Sequence, residues 1–332
     1  MKILSIVVIV ALLVFSIFWS GGGDKVEEGV LRVRIGHFPN VTHAQALVAH
    51  HFSRQGKGWF EQRLGPGVKV EWFVYNAGPS AMEAIFARSI DVTYVGPSPA
   101  INAFARSDGS EVRIVAGAAD GGAALVVPKD STLKTGADFR GKKIATPQLG
   151  NTQDVACRAW LTAAGLKITQ LGGDAHVLPT ANADQLGLFT SGRVDGVWTV
   201  EPWVSRLELE GGGKILVDEK KAVTTVLVSS VRFAGAHPEL LRKIVAAHAE
   251  LTEWINANPE EAQRIVVAEM EEVTRSKINP EIIAMAWPRM TLTSKLNIGS
   301  LKTFVKDARE AGFLPRMPPV ENLLLLPAEN KN

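Results

Sequence analysis

Asn151 and Thr152 stand where the stretch GKKIATPQLGNTQDVACRAW, residues 141–160, turns from strand to helix. Their types suit capping and ligand contact rather than bond making. Asn151 sits where a helix cap belongs, and Asp154 three residues on fits the acidic partner of a capping pair. Pro147 cannot donate to a sheet ladder and Gly150 permits a sharp bend, so the strand over residues 143–146 must stop there. Val155, Ala156, Ala159, Trp160 and Ala163 then supply a helical apolar face. The first-turn N–H groups, at the positive end of the helix dipole, point beyond the strand's carboxyl end, where a small anion fits. Any strand-to-helix corner needs such a turn, so the neighbouring corners decide what this one is for.

Four more corners have the same form. Residues 33–36 alternate like a strand, and Thr42 can cap the helix that follows, which leaves His37, Phe38, Asn40 and His43 around the connecting loop. Ser80, with Glu83 three residues later, reads as a cap after the strand at residues 69–75, and Ser98 before Pro99 as a cap after the strand at 90–96. The helix opened by Pro99 has no acidic residue in its first turn, so its dipole is free for an outside anion. Glu201 precedes Pro202 at the end of the strand over 194–200. It fits an anion pocket poorly, because a carboxylate 4 Å from a bound anion is repelled by about 4 kcal/mol at an effective dielectric near 20. It therefore caps its own helix, pairs with a cationic group of a zwitterionic ligand, or accepts a hydrogen bond from a ligand hydroxyl or amide.

No metal site is expected from the histidines at 37, 43, 50 and 51, because the spacing of His43 and His50 puts them two helical turns apart, about 10 Å. His248 belongs to the flank of a long amphipathic helix. Cys157 is the single cysteine, so the chain forms no internal disulfide, and a thiol on an apolar helix face reads as packing.

The elements that must hold these corners follow from the wider pattern. The chain has 332 residues, 46% hydrophobic and 21% charged, with a net charge of +2. That length suits two domains, and so small a charge, with no Lys/Arg run longer than two residues, argues against a nucleic-acid partner. Strands alternate with helices, which predicts α/β layers with mixed, mostly parallel sheets flanked by helices and ligands beyond the strands' carboxyl ends. AIFARSIDVTYVGPSPA and GLFTSGRVDGVWTVEPW share a Phe-ended helix, an Asp (Asp91 or Asp195), a strand and a Pro-opened helix, as two similar lobes would. Residues 31–119 and 222–320 are assigned to lobe 1, 120–221 to lobe 2 and 321–332 to a tail, with Gly121, Gly122 and the strand near Thr224 at the crossover. Residues 1–22, with Lys2 before a long apolar run, read as an export signal or an N-terminal membrane anchor; Ser20 and Gly22 are small enough for cleavage, although no A-x-A pattern is present. The apolar run is not followed by a lipoprotein cysteine.

RIGHFPNVTHAQALVA, YVGPSPAINAF, GKKIATPQLGNTQDVA and WTVEPWVSRL, in this order after an export signal, resemble the substrate-binding proteins of ABC importers for aliphatic sulfonates, taurine and nitrate. The resemblance covers nearly all of residues 31–320. It implies a two-lobed type II periplasmic-binding fold that closes on its ligand and presents itself to an inner-membrane permease, as a monomer without cofactor or metal. It also implies an extracytoplasmic location, with the leader either cleaved or kept as a tether. By position, it assigns ligand contacts to Phe38, Asn40, Thr42 and His43, to Gly78 and Ser80, and to Gly96 and Ser98. On the other lobe it assigns Gln148, Gly150, Asn151 and Thr152, then Glu201 and Trp203.

The same fold also carries enzymes of pyrimidine synthesis and of the menaquinone pathway, so fold alone does not decide function. The chain has no G-x-S-x-G elbow, P-loop or H-E-x-x-H helix, and a binding protein is expected rather than an enzyme. A sulfonate, taurine, a sulfate ester or nitrate would all suit backbone donors at helix starts. Phe38 and Trp203 favour an anion with an organic tail, since a bare inorganic ion gains little from apolar walls.

Overall fold

The computed structural model describes residues 29–325. The expected signal or anchor at residues 1–22 lies outside the described residues, as do residues 326–332 of the expected tail. Among the described residues no helix is long and apolar enough to cross a membrane.

The chain builds two sheets. β1 (Leu31–His37), β2 (Val68–Val74), β3 (Val92–Val95) and β4 (Val112–Gly121) lie in the first, and β5 (Ala123–Pro128), β6 (Lys143–Thr146), β9 (His176–Pro179), β10 (Gly196–Val200) and β11 (Gly213–Asp218) in the second. β7 (Ile168–Thr169) and β8 (Gly172–Gly173) form a separate hairpin. β12 (Val223–Ser230) and β13 (Met290–Leu292) return to the first sheet, whose order is β13-β4-β12-β3-β1-β2; the second runs β11-β5-β10-β6-β9. Each sheet is sandwiched between helices, with apolar clusters on both faces: Val33, Leu47 and Ile244 on one side of the first and Ile85, Ile101 and Phe304 on the other. In the second sheet Trp198 is buried, packs edge-on to Trp160 at 5.6 Å, and donates its indole N–H to Glu219 at 3.0 Å.

Both sheets are mixed, as expected, with a larger antiparallel share than the strand–helix alternation suggests. β2-β1-β3 and β9-β6-β10 are parallel cores, while β4, β12 and β13 pair antiparallel in the first sheet and β5 and β11 in the second. The antiparallel strands are those that carry the chain between lobes. β4 and β5 are nearly continuous and are separated at Gly122; the return passes from β11 to β12. Gly121 and Gly122 both take left-handed backbone, with φ of 77° and 75°. A Cβ on Gly121 would lie 2.7 Å from Arg289 O and 2.8 Å from Lys220 O, so the crossover requires glycine there. Thr224 secures it by donating its hydroxyl to Gly121 O at 2.8 Å.

Three expected caps differ from the structure. Thr42 lies inside a 3-10 turn, Val41–His43, that precedes the helix Ala44–Arg54. Ser80 lies inside the helix Gly78–Phe86 and Ser98 inside the helix Pro97–Arg106. In both, a proline immediately before the serine already lies in the first turn, and no side chain caps the start. The first residues of the expected tail are part of lobe 1: Leu323 is fully buried and Leu325 donates its backbone N–H to Ile114 O at 2.9 Å.

The lobes meet. Helix Ile298–Glu310 packs on helix Thr152–Ala163 of the second lobe, and helix Pro280–Ala286 on helix Trp203–Leu209. The carboxyl ends of both parallel cores therefore face one shared cleft.

Candidate functional site

The turn at Asn151 is held by a buried ion pair. Asp154 and Arg158, 0% and 2% exposed, pair at 3.0 Å, and Asp154 also accepts from Thr146 Oγ1 and from Gly150 N–H, each at 2.9 Å. The carboxylate thus reciprocates the cap through Gly150, while Asn151 Oδ1 accepts the Asp154 N–H at 2.8 Å. Gly150 adopts φ 76°, which L side chains rarely do.

A cavity of about 20 Å³, enough for the centre of one water or small ionic group, lies between the two sheets. Of the residues expected from the sequence, Phe38, Asn40, Thr42, His43, Gly78, Gly96, Asn151 and Thr152 line it. Helix starts from both lobes converge on it, as the free backbone N–H groups of each corner require. Gly96 marks the closest approach of the lobes: a Cβ there would lie 2.2 Å from Thr152 Oγ1, and Ser98 N–H points at the same oxygen at 3.4 Å. Gly78 is small for a local reason, since a Cβ would meet Pro99 Cγ at 2.3 Å.

His43 is 2% exposed, packs on the Phe38 ring at 4.4 Å and is held well below the usual histidine range, first by burial and then by His37. It is a neutral imidazole here. His37, His50 and Glu269 come together behind the loop, with 2.9 Å between His37 Nε2 and His50 Nδ1 and 2.9 Å from His50 Nδ1 to Glu269 Oε1. Among the described residues no group of His, Cys, Asp and Glu has metal-holding geometry. His248 is not on a helix flank but fully buried, bonded to Tyr94 Oη at 2.9 Å and Gly117 O at 2.8 Å.

Six expected residues do not line the cavity. Ser80 and Gln148 face each other across the lobes at 3.4 Å. Ser98 is buried with its hydroxyl unpaired, and Gly150 shapes the turn behind Asn151. Trp203 does not wall the cavity with its ring; its Nε1–H donates to Asn40 Oδ1 at 2.8 Å. Glu201 turns inward and caps its own helix, accepting from Ser205 N–H and Ser205 Oγ, each at 3.0 Å, and pairing with Arg289 of lobe 1 at 3.1 Å. Burial pushes the Glu201 carboxyl up to about 7 against the opposing effect of Ser205 and Arg289. Of its three expected roles, the structure places it in the first.

Asn76, Pro99, Pro147, Gln153, Asn182 and Thr224 line the cavity without having been read as ligand residues, along with Ala77 and Val200. Asn182 is the first residue of helix Asn182–Thr190 and 5% exposed. Its place after the strand at residues 175–179 was a usable signal. Gln153 lies inside a helix, and nothing in a strand-to-helix pattern marks it.

Two lobes with a polar cleft at the strand ends define the periplasmic-binding fold. The alkanesulfonate-binding protein SsuA from Xanthomonas axonopodis pv. citri, solved bound to MOPS, matches 89% of this chain and 98% of its own with a TM-score of 0.71 at 22% identity. The chain belongs to the NMT1-like family, whose pattern matches residues 27–270. It is 33% identical over 156 residues to a protein of Escherichia coli strain K12 named for aliphatic sulfonate binding, a match spanning 46% of each chain. It is 27% identical over 200 residues to the taurine-binding periplasmic protein of the same strain, spanning 58% of this chain and 60% of that one. These sequence matches cover about half the length of the relatives.

Proposed function

We propose that this chain is the extracytoplasmic solute-binding component of an ABC importer. It captures a small oxyanion between its lobes and delivers it to an inner-membrane permease as a monomer without catalysis. An organosulfonate, taurine or a sulfate ester is the ligand class. The observation that carries this reading is the convergence of helix starts from both lobes on one buried, carboxylate-free cavity. The sulfonate- and taurine-binding names of its relatives agree with it. Phe38 and Val200 give the cavity apolar wall for a short tail. Glu201 takes no part in contacting the ligand and instead fixes the crossover, since its N–H donates to Gly122 O at 2.7 Å and its carbonyl accepts from Val41 N–H at 3.2 Å.

A thermal-shift screen against alkanesulfonates, taurine, sulfate esters, nitrate and uncharged controls tests the proposal. A ligand that binds only the folded state at about a hundred times its Kd stabilises by about 2.7 kcal/mol. The expected result is a raised melting temperature with one or more oxyanions and none with the controls. No shift across the oxyanion panel would refute it.

A further inference from the structure

We infer that the buried wall of this cavity presents neutral hydrogen-bond donors, so that it selects an anion bearing a single charge and no proton and discriminates against dianions and oxyanions that retain an O–H. The inference rests on the oxyanion reading above and sharpens its ligand class.

The orientation of each side chain follows from which partner can only donate. A backbone N–H and an indole N–H have no acceptor. The Asp154 N–H, 2.8 Å away, therefore fixes the oxygen of Asn151, whose Nδ2 then faces Gln153 at 3.0 Å and donates to its Oε1. Gln153 Nε2 is left without a protein partner. By the same logic the Trp203 indole, at 2.8 Å, occupies Asn40 Oδ1 and leaves Asn40 Nδ2 free. Thr199 Oγ1 lies 3.5 Å from the Asn182 amide, and because a hydroxyl can donate or accept, that amide can turn its NH2 to a ligand. The Phe38 N–H points at His43 Nδ1 at 3.4 Å, so in the neutral ring the proton is on Nε2, a further donor.

Asn40 and His43 on the first lobe and Gln153 on the second line the cavity, and none is more than 5% exposed. Each has its acceptor committed to the protein and its donor unspent. The hydroxyls of Thr42 and Thr152 can turn either way, the Thr224 hydroxyl spends its proton on Gly121 O and is at most a weak neutral acceptor, and Asn76 is exposed. No carboxylate, lysine or arginine lines the cavity. A ligand oxygen with lone pairs is met on several sides, whereas a ligand O–H would lose its water partner without gaining a strong acceptor. A second negative charge would be buried with no cation beside it.

Methanesulfonate and methylphosphonate separate these cases, because they share a shape and differ in proton and charge. Calorimetric titration of the protein with each at pH about 6 and about 8.5 reads both effects. Methanesulfonate is expected to bind with the same affinity at both, within about threefold, and methylphosphonate about tenfold more weakly at the lower pH, as an unsatisfied buried O–H requires. At the higher pH, where the phosphonate is a dianion, its affinity falls by roughly a further tenfold. Asn40→Asp keeps an acceptor for Trp203 but replaces the free NH2 with a charged oxygen, and is expected to weaken methanesulfonate by about a hundredfold or more. Methylphosphonate binding within threefold of methanesulfonate, or an Asp variant that folds and binds methanesulfonate like the parent, overturns the donor-wall inference while leaving the oxyanion reading standing. Binding of neither ligand overturns both. Should the variant fail to fold, the two-ligand comparison on the parent protein decides.

Discussion

The Trp203 indole N–H, on the second lobe, donates across 2.8 Å to Asn40 Oδ1 on the first. Both residues are buried, so the bond forms only when the lobes are together, and it sets the direction of the Asn40 amide. Trp203→Phe retains an aromatic ring and removes the donor. The expected result is a loss of affinity of roughly 5- to 30-fold, the worth of one buried hydrogen bond. Affinity unchanged by titration calorimetry would mean that Trp203 only packs.

Asn151→Ala and Asn279→Ala remove comparable caps, since Asn151 Oδ1 accepts from Asp154 N–H and Asn279 Oδ1 from Glu281 N–H. Each is expected to cost about 1 kcal/mol in urea unfolding. Only Asn151→Ala is expected to weaken ligand binding, because only Asn151 lines the cavity. Equal, small effects on affinity would make the Asn151 turn purely structural. Asn182 would be an unsuitable control because it lines the cavity as well.

Gly96 has φ −66° and ψ 154°, which any residue adopts, so Gly96→Ala tests space alone. The added Cβ would lie 2.2 Å from Thr152 Oγ1 across the cleft. The variant is expected to remain folded but close incompletely, with affinity down at least about tenfold, as overpacking of 1–3 kcal/mol implies. Small-angle scattering should show the parent contracting with saturating ligand and the variant contracting less. Identical contraction would show that the lobes do not approach through this contact.

Glu201 gives a pH signature. Its carboxyl is raised from 4.5 to about 7, so the folded state holds a proton that the unfolded state releases between these values. Stability from this group is fully present below pH 4.5 and is lost as pH rises through 7, by on the order of 2–3 kcal/mol. Glu201→Gln is expected to flatten that part of the profile. Parallel urea-unfolding profiles for parent and variant would show that Arg289 and Ser205 hold the group ionised throughout.

Much of this organisation is visible in the residues themselves. Gly150, Asn151 and Asp154 announce a capped turn because each acts within a few residues, and the structure keeps all three in one hydrogen-bonded unit. Gly121 and Gly122 likewise mark the crossover by their backbone freedom. What fails is what depends on distant partners. Trp203 reads as an apolar wall until Asn40, far away in sequence, supplies its acceptor. Glu201 stays ambiguous until Arg289 arrives from the other lobe. Ser80 and Ser98 look like caps by type, but their helices already start at Gly78 and Pro97. Gln153 enters the cavity wall through its bond to Asn151, a relationship without a periodic signal. The antiparallel share of each sheet is equally hidden, because strand composition does not tell which neighbour a crossing strand will take.

The most direct test of a ligand held between the lobes is a crystal structure of the protein with 2-bromoethanesulfonate, read through the anomalous signal of bromine. The predicted result is one bromine peak in the cavity lined by Phe38 and Val200, with the sulfonate within hydrogen-bond reach of Asn40, Gln153 and Asn182. A bromine peak elsewhere on the molecule, or an empty cavity at saturating ligand, would contradict it.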